Sequence, residues 1–342
     1  MTAVAGVLRY LHGVSQVLAF AAAALALAGL AWVVSFATEQ VGRRFGPAIT
    51  GFMQSTLGNL PEFFVVIFAL EAGQRIVAET AILGSILVNA LLVLGLVIIA
   101  GARRERDGIM RFSARLPNDT ATLLLLASFI IVLIGLTDAS HDSASHHTKT
   151  ISIVGAVAIL AVYAAWLRQY LASDRRPAAE SQHDESQRPP ASTTLSVALL
   201  GAAGTASAFV SDWFVHALQP TIDSLHISQA FAGLVIVAIA GNAVENVAGI
   251  VLAHKGKSDL AISVVKNSVA QIAAFLYPLL VLVSLLTATT LTFRMAPVYI
   301  GALFGTAVAV WQITGDGEAT AFEGAALVAT FAILSIVAAF ET

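Results

Sequence analysis

Long runs of Ala, Leu, Val and Ile without a charge recur along the chain, the first of them from Val17 to Val34. A helix that crosses a bilayer needs roughly 20 mostly apolar residues. Cutting the 342 residues at charge clusters and turn residues predicts ten spans: 14–37, 46–71, 77–101, 119–137, 150–171, 195–217, 227–253, 259–286, 295–313 and 321–340. Composition agrees: 58% of residues are apolar and 11% charged, against about 25% charged in a soluble domain. The expected class is an all-α integral membrane protein, with the lipid bilayer as its partner. A net charge of -3 offers no basic footprint for nucleic acid. The absence of cysteine removes disulfides, thiolate metal sites and cysteine nucleophiles. The first apolar run reaches Phe36 without a small-residue cleavage site, so it reads as a retained span and not as a signal peptide.

Residues 173–194, SDRRPAAESQHDESQRPPASTT, are polar and lack apolar periodicity, which reads as a linker. The chain therefore divides into five spans (1–172), the linker (173–194) and five spans (195–342). With ten spans, thirteen of the 18 Lys and Arg residues fall on one side, including Arg103, Arg104, Arg106, Arg111 and Arg115 in a single loop. Only Arg9, Arg75, Lys149 and Arg294 fall on the other, and Lys266 lies inside a span. Basic residues are retained on the cytoplasmic side. The linker is therefore expected in the cytoplasm and both ends of the chain outside, in an inner or plasma membrane.

Two segments match at a constant offset of 183 residues: Gly58-Asn59-Leu60-Pro61-Glu62 against Gly241-Asn242-Ala243-Val244-Glu245, with Ser85 against Ser268. Five spans, an odd number, separate the copies, so the second runs through the bilayer in the opposite direction. The expected architecture is two inverted five-helix repeats, a signature of many secondary transporters. At about 1.5 Å per residue, Glu62 and Glu245 both come near the midplane. An acid at that depth is costly and marks an ion pathway or proton relay; the bland alternative is a protonated Glu bonded to a neighbouring helix. Asn59 and Glu62 share a helical face, as do Asn242 and Glu245. Ser85 with Asn89, and Ser268 with Gln271, line the following helices at i,i+4 and i,i+3. Gly beside Asn, and Pro61 without a backbone donor, favour a broken helix whose freed carbonyls join a cation shell. Two carboxylates among hard oxygens, with Glu62 and Glu245 as the metal-binding pair, suit Ca2+.

Weaker signals have plainer explanations. Ser and Asn within spans also bridge helices by hydrogen bonds alone. Asp212, in the outer part of the sixth span, is a vestibule acid or an interfacial charge. His141, His146 and His147 belong to a polar outer loop, and Asp316, Glu318 and Glu323 to a cytoplasmic entrance. HExxH, GxSxG and cysteine nucleophiles are absent, which argues against an intramembrane enzyme. A passive channel fits the buried acids but not the repeated broken helices.

At these residues the chain resembles the cation/proton exchanger (CAX) branch of the calcium:cation antiporter superfamily. The resemblance covers nearly the whole length and includes GNLPEFFVVIFALEAG with GSILVNALLVLG, VAIAGNAVENVAGIVLAHKGKSDLAISVV with NSVAQIAAF, FATEQ, and DGEATAFEG. It implies Ca2+/H+ antiport, an import of protons that drives Ca2+ out, with no cofactor beyond the transported ions. Glu62 and Glu245 would be the shared acidic pair, and Asn59, Asn242, Ser85, Asn89, Ser268 and Gln271 would line the site. Na+/Ca2+ or Na+(K+)/H+ exchange is the alternative within the superfamily. Four departures bear on this. Asn246 stands where the family usually has His, and Asn267 where it has Gly. Lys266 replaces an apolar residue. The family usually has a helix before the first one here, and residues 1–12 are too short to span. Lys266 is expected to point away from Ser268, about 200° around the helix, and to snorkel or meet an acid. Lys266, Asn246 and Asp212 are thus candidate modulators.

Overall fold

The computed structural model describes residues 1–10, 15–42, 57–113, 115–173 and 192–341. They form helices α1 (Thr2–Tyr10), α2 (Gln16–Gly42), α3 (Leu60–Glu71), α4 (Arg75–Ala102), α5 (Arg115–Ala139), α6 (Thr148–Ser173) and α7 (Thr193–Leu225) in the first part of the chain. After these come α8 (Gln229–Gly241), α9 (Ala243–His254), α10 (Ser258–Leu286), α11 (Pro297–Thr314) and α12 (Ala321–Ala339). A two-stranded antiparallel ribbon, β1 (Ile109–Arg111) on β2 (Glu318–Thr320), is the sole sheet among the described residues.

Among the described residues eight helices are long and apolar enough to cross a membrane, or nine when the pair α8–α9, bent by 58°, counts as one span. These coincide with nine of the predicted spans. The other, at 46–71, is described only from Leu57 onward, with α3 as its latter part. Helix α7 runs on to Leu225, past the predicted end at 217. The short α1 and the β1–β2 ribbon carry no sequence signal strong enough to foresee, because each is only a few residues long.

The two GN motifs have matching backbones. Helices α3 and α9 each have 12 residues and begin 183 positions apart. Asn59 precedes one with φ -85 and ψ 7, and Asn242 the other with φ -97 and ψ 10. Each helix ends in a turn whose central glycine has positive φ, 73° at Gly73 and 75° at Gly256, a conformation open to glycine because it lacks Cβ. The next helix then starts at Arg75 or Ser258. Each of those helices widens into a π-helical segment, at Val88–Val93 in α4 and Ile272–Leu276 in α10. Such segments often accompany functional sites.

Helix α4 lies in the middle of the bundle, with Leu83, Leu87, Leu91, Leu94 and Ile98 all fully buried. It crosses α8 at two glycines. A Cβ on Gly84 would lie 2.3 Å from the Leu234 carbonyl oxygen and 2.6 Å from its Cα, and one on Gly233 would lie 2.0 Å from Thr80 Oγ1. Helices without a hydrophobic drive between them associate through such close backbone approach. Because backbone atoms cannot step aside, Gly84→Ala should cost about 3 kcal/mol. Gly301→Ala, where a Cβ meets nothing within 4 Å, should be neutral or slightly stabilising. Thermal unfolding of both variants in detergent checks this, and equal melting temperatures would contradict the packing account.

Candidate ion-binding site

Glu62 occupies the first turn of α3 and is 8% exposed. Pro61 beside it has no backbone N–H to leave unsatisfied, which suits the start of a helix. The N-terminal end of α3 carries the partial positive charge of its backbone dipoles, directed at the carboxylate in its first turn. From α4, Ser85 donates its hydroxyl to Glu62 Oε1 at 2.7 Å. From the junction of α8 and α9, Asn242 Nδ2 donates to the same oxygen at 2.5 Å. Asn242 Nδ2 also lies 3.0 Å from Ser85 Oγ and 2.9 Å from the Ala238 carbonyl. An amide nitrogen has two hydrogens, so these three acceptors share them.

Asn89 completes the chain of bonds. Its Nδ2 donates to Asn242 Oδ1 at 2.7 Å and to the Ser85 carbonyl at 2.9 Å. Asn89 is at zero exposure and Asn242 at 1%, so the network is buried. The Asn242 amide therefore ties the second GN motif to the carboxyl of the first. Helix α7 adds a further tie, Ser211 Oγ to the Pro61 carbonyl at 3.4 Å.

The structure thus brings Glu62, Ser85, Asn89 and Asn242 into contact. Asn59, Ser268 and Gln271 are buried on the matching elements. Glu245 falls in the first turn of α9, as Glu62 does in α3, while its side chain lies outside the described residues. Asn246 follows it in α9, with Oδ1 buried and unpartnered among the described residues.

Two expected modulators stand elsewhere. Asp212 is half-exposed on α7 and pairs with His216 at 3.2 Å. At 33 residues, α7 is about 50 Å long, more than the roughly 30 Å apolar core, and its far end carries this polar stripe. Lys266 departs from expectation. It is 1% exposed, and Nζ has no hydrogen-bond partner among the described residues. Its head group therefore does not snorkel to the interface, and it meets no acid among the described residues. The outer histidines form a short turn, Ser143–His147, capped by Asp142, and no group of three metal-ligating side chains occurs among the described residues.

One contributor was not foreseen. A Cβ on Gly241 would lie 3.0 Å from both Cγ and Oε1 of Glu62. The glycine of the second GN motif thus makes room for the acid of the first, a role that the motif's sequence, read only as a helix breaker, does not disclose. A small cavity borders Glu62 and is lined by Val65, Val66, Ala81, Ile82 and Phe214. Its walls follow Glu62 along α3 and precede Ser85 along α4, so it lies on the Gly73 side of the site.

Comparison with known proteins is consistent with this architecture. The profile described as sodium/calcium exchanger protein matches residues 15–168 and 195–340. The chain belongs to the sodium/calcium exchanger family. It is 30% identical over 330 residues to the Ca2+/H+ antiporter ChaA of Bacillus subtilis, covering 95% of this chain and 93% of the relative. It is 33% identical over 321 residues to the vacuolar calcium ion transporter of Schizosaccharomyces pombe, covering 91% and 76%. Among solved structures, that of native YfkE superposes with a TM-score of 0.80 at 25% identity, covering 99% of this chain and 96% of the other. The H+/Ca2+ exchanger CAX, at 14% identity and a TM-score of 0.72, shows the shared fold. With its apolar helices and these relatives, this member of the family is a multi-pass membrane protein.

Replacing Asn242 by Leu removes the donor to Glu62 and leaves Asn89 Nδ2 without its side-chain acceptor. An unsatisfied buried group costs about 1–3 kcal/mol. The expected result is a lower unfolding temperature for Asn242→Leu in detergent, and a wild-type value would contradict the network.

Proposed function

We propose that the protein is a secondary active antiporter that exports Ca2+ in exchange for protons by alternating access, with Glu62 and Glu245 as the acids shared by cation and proton. The observation that carries this reading is the meeting of both GN motifs at one buried carboxyl, in a chain whose relatives are named as Ca2+/H+ antiporters. The matching backbones of α3–α4 and α9–α10 support two five-helix repeats (1–172 and 195–342), inverted with respect to each other and joined by a cytoplasmic linker (173–194). Ten spans, both chain ends outside and an inner or plasma membrane complete the topology. By the 183-residue correspondence, Glu245 would meet Ser268 as Glu62 meets Ser85, with Asn59 and Gln271 beside it.

The chemistry follows from the donors. In low dielectric a lone carboxylate is costly and takes up a proton, whereas a divalent ion beside it favours the charged form. Cation and proton thus compete for the same oxygens. At Glu62 the described partners of Oε1 are N–H and O–H donors. A cation needs lone pairs instead, so the Asn242 amide turns its Oδ1 inward and the Ser85 hydroxyl rotates. Asn89, which donates to that Oδ1, registers the change in α4. Hard oxygens and two negative charges favour Ca2+. Na+/Ca2+ or Na+(K+)/H+ exchange is a second reading of the same site, which Asn246 and the buried Lys266 favour: a Lys266 charge reaching the site would oppose a divalent ion.

Ca2+ uptake into inside-out vesicles energised by an imposed proton gradient tests the reading. Uptake should vanish when the gradient is collapsed, and fall by at least about a hundredfold in Glu62→Gln and in Glu245→Gln. Gradient-independent uptake, or full activity in either variant, would refute it. Asn242→Ala should retain some flux with weakened cation affinity.

A further inference from the structure

The two helical hairpins that carry the site match in backbone but not in what covers their turns. At Gly73, in the α3–α4 turn, a Cβ would meet nothing within 4 Å. At Gly256, the corresponding residue of the α9–α10 turn, a Cβ would lie 2.8 Å from Arg104 Nε and 3.5 Å from its Cζ. The Arg104 guanidinium lies across that turn and donates from Nη1 to the His254 carbonyl at 3.0 Å. His254 is the last residue of α9, so Arg104 satisfies one of the carbonyls orphaned at the helix end. A cation there also complements the backbone dipoles of α9.

The same loop holds the other arm of the hairpin. Ser113 N–H donates to Asp259 Oδ1 at 2.6 Å, in the first turn of α10. Between Arg104 and Ser113 the loop is stiffened by the β1–β2 ribbon, with Phe112 N–H donating to the Gly317 carbonyl at 2.8 Å. Arg111 bridges Asp107 at 2.7 Å and Glu318 at 3.2 Å; its hydrogen bond to Asp107 holds that carboxyl below its ordinary range. One loop from the first half of the chain thus fastens both ends of the turn in the hairpin that carries Asn242, Glu245, Ser268 and Gln271. Among the described residues, the ion pair at the α3–α4 turn is Arg75–Glu79 within its own helix, at 2.7 Å.

We infer that Arg104 and Asp259 are positioning residues for transport: they form a latch that holds the α9–α10 hairpin in the conformation seen here and must release for the alternate one. The inference rests on the alternating-access reading above. A symmetric pair of hairpins would exchange roles with equal ease. A latch on one of them biases the equilibrium toward one access state, and the bias is set from outside the ion site.

The natural absence of cysteine permits a direct test. Val65→Cys places a single thiol on the cavity wall beside Glu62. A membrane-impermeant maleimide applied to the Gly73 side of oriented vesicles then labels it in the state open to that side, with no ion gradient present. Losing one of these ties should shift the labelling rate from that side, taken as a ratio to that of the otherwise intact Val65→Cys protein, by about fivefold in Arg104→Ala and in Asp259→Ala. Arg104→Lys, which keeps the cation at the helix end, should restore part of the shift. Arg106→Ala removes the same charge from the same loop without breaking a tie, and should leave the ratio unchanged. If Arg104→Ala fails to insert, Arg104→Gln and Asp259→Asn carry the test. An unchanged ratio in both latch variants, or an equal shift in Arg106→Ala, overturns the proposal. Failure of the antiport reading would show separately, as absence of proton-coupled flux in the parent protein.

Discussion

An acid buried among apolar helices must be given donors, and much of the geometry around Glu62 follows from that requirement. Its Oε1 takes hydrogen bonds from Ser85 and Asn242, groups that lie far apart in the chain. Reaching it from the second half requires the helix to end at Gly241, where a side chain would press on the carboxyl, and to restart at Ala243 in a new direction. The close crossing of α4 and α8 at Gly84 and Gly233 sets the distance between the two halves. Breaks, glycines and amides are therefore parts of one solution to the cost of burying a charge.

The solution also couples the halves mechanically. Asn242 accepts from Asn89 while donating to Glu62, so the carboxyl is tied at once to α4 and to the α8–α9 junction. A site built within one half could bind a cation without linking it to motion of the other. On the proposed antiport reading, hydrogen bonds that cross the junction would link occupancy to conformation, which is what coupled exchange demands.

Most of the helical framework was legible in the sequence, because spans in lipid announce themselves through apolar length. The meeting of Glu62, Ser85, Asn89 and Asn242 was legible for a different reason: an Asn and a Glu three residues apart inside such a span have few structural uses, and two copies at one offset have fewer. What the sequence hid were relations between distant residues. Nothing local to Gly241 says that it accommodates Glu62, and nothing local to Arg104 says that it covers the turn at Gly256. The burial of Lys266 was hidden for a related reason. Its distance along α10 from the helix end suggested reach to the interface, but the neighbouring helices enclose it fully.

The central claim is that cation and proton share the same carboxyl oxygens. The most direct test is proton release on Ca2+ binding to the purified protein in weakly buffered detergent solution, free of any membrane gradient. The account predicts that Ca2+ expels protons from the wild-type protein and that Glu62→Gln diminishes the release together with the binding. Ca2+ binding with no proton released would contradict it.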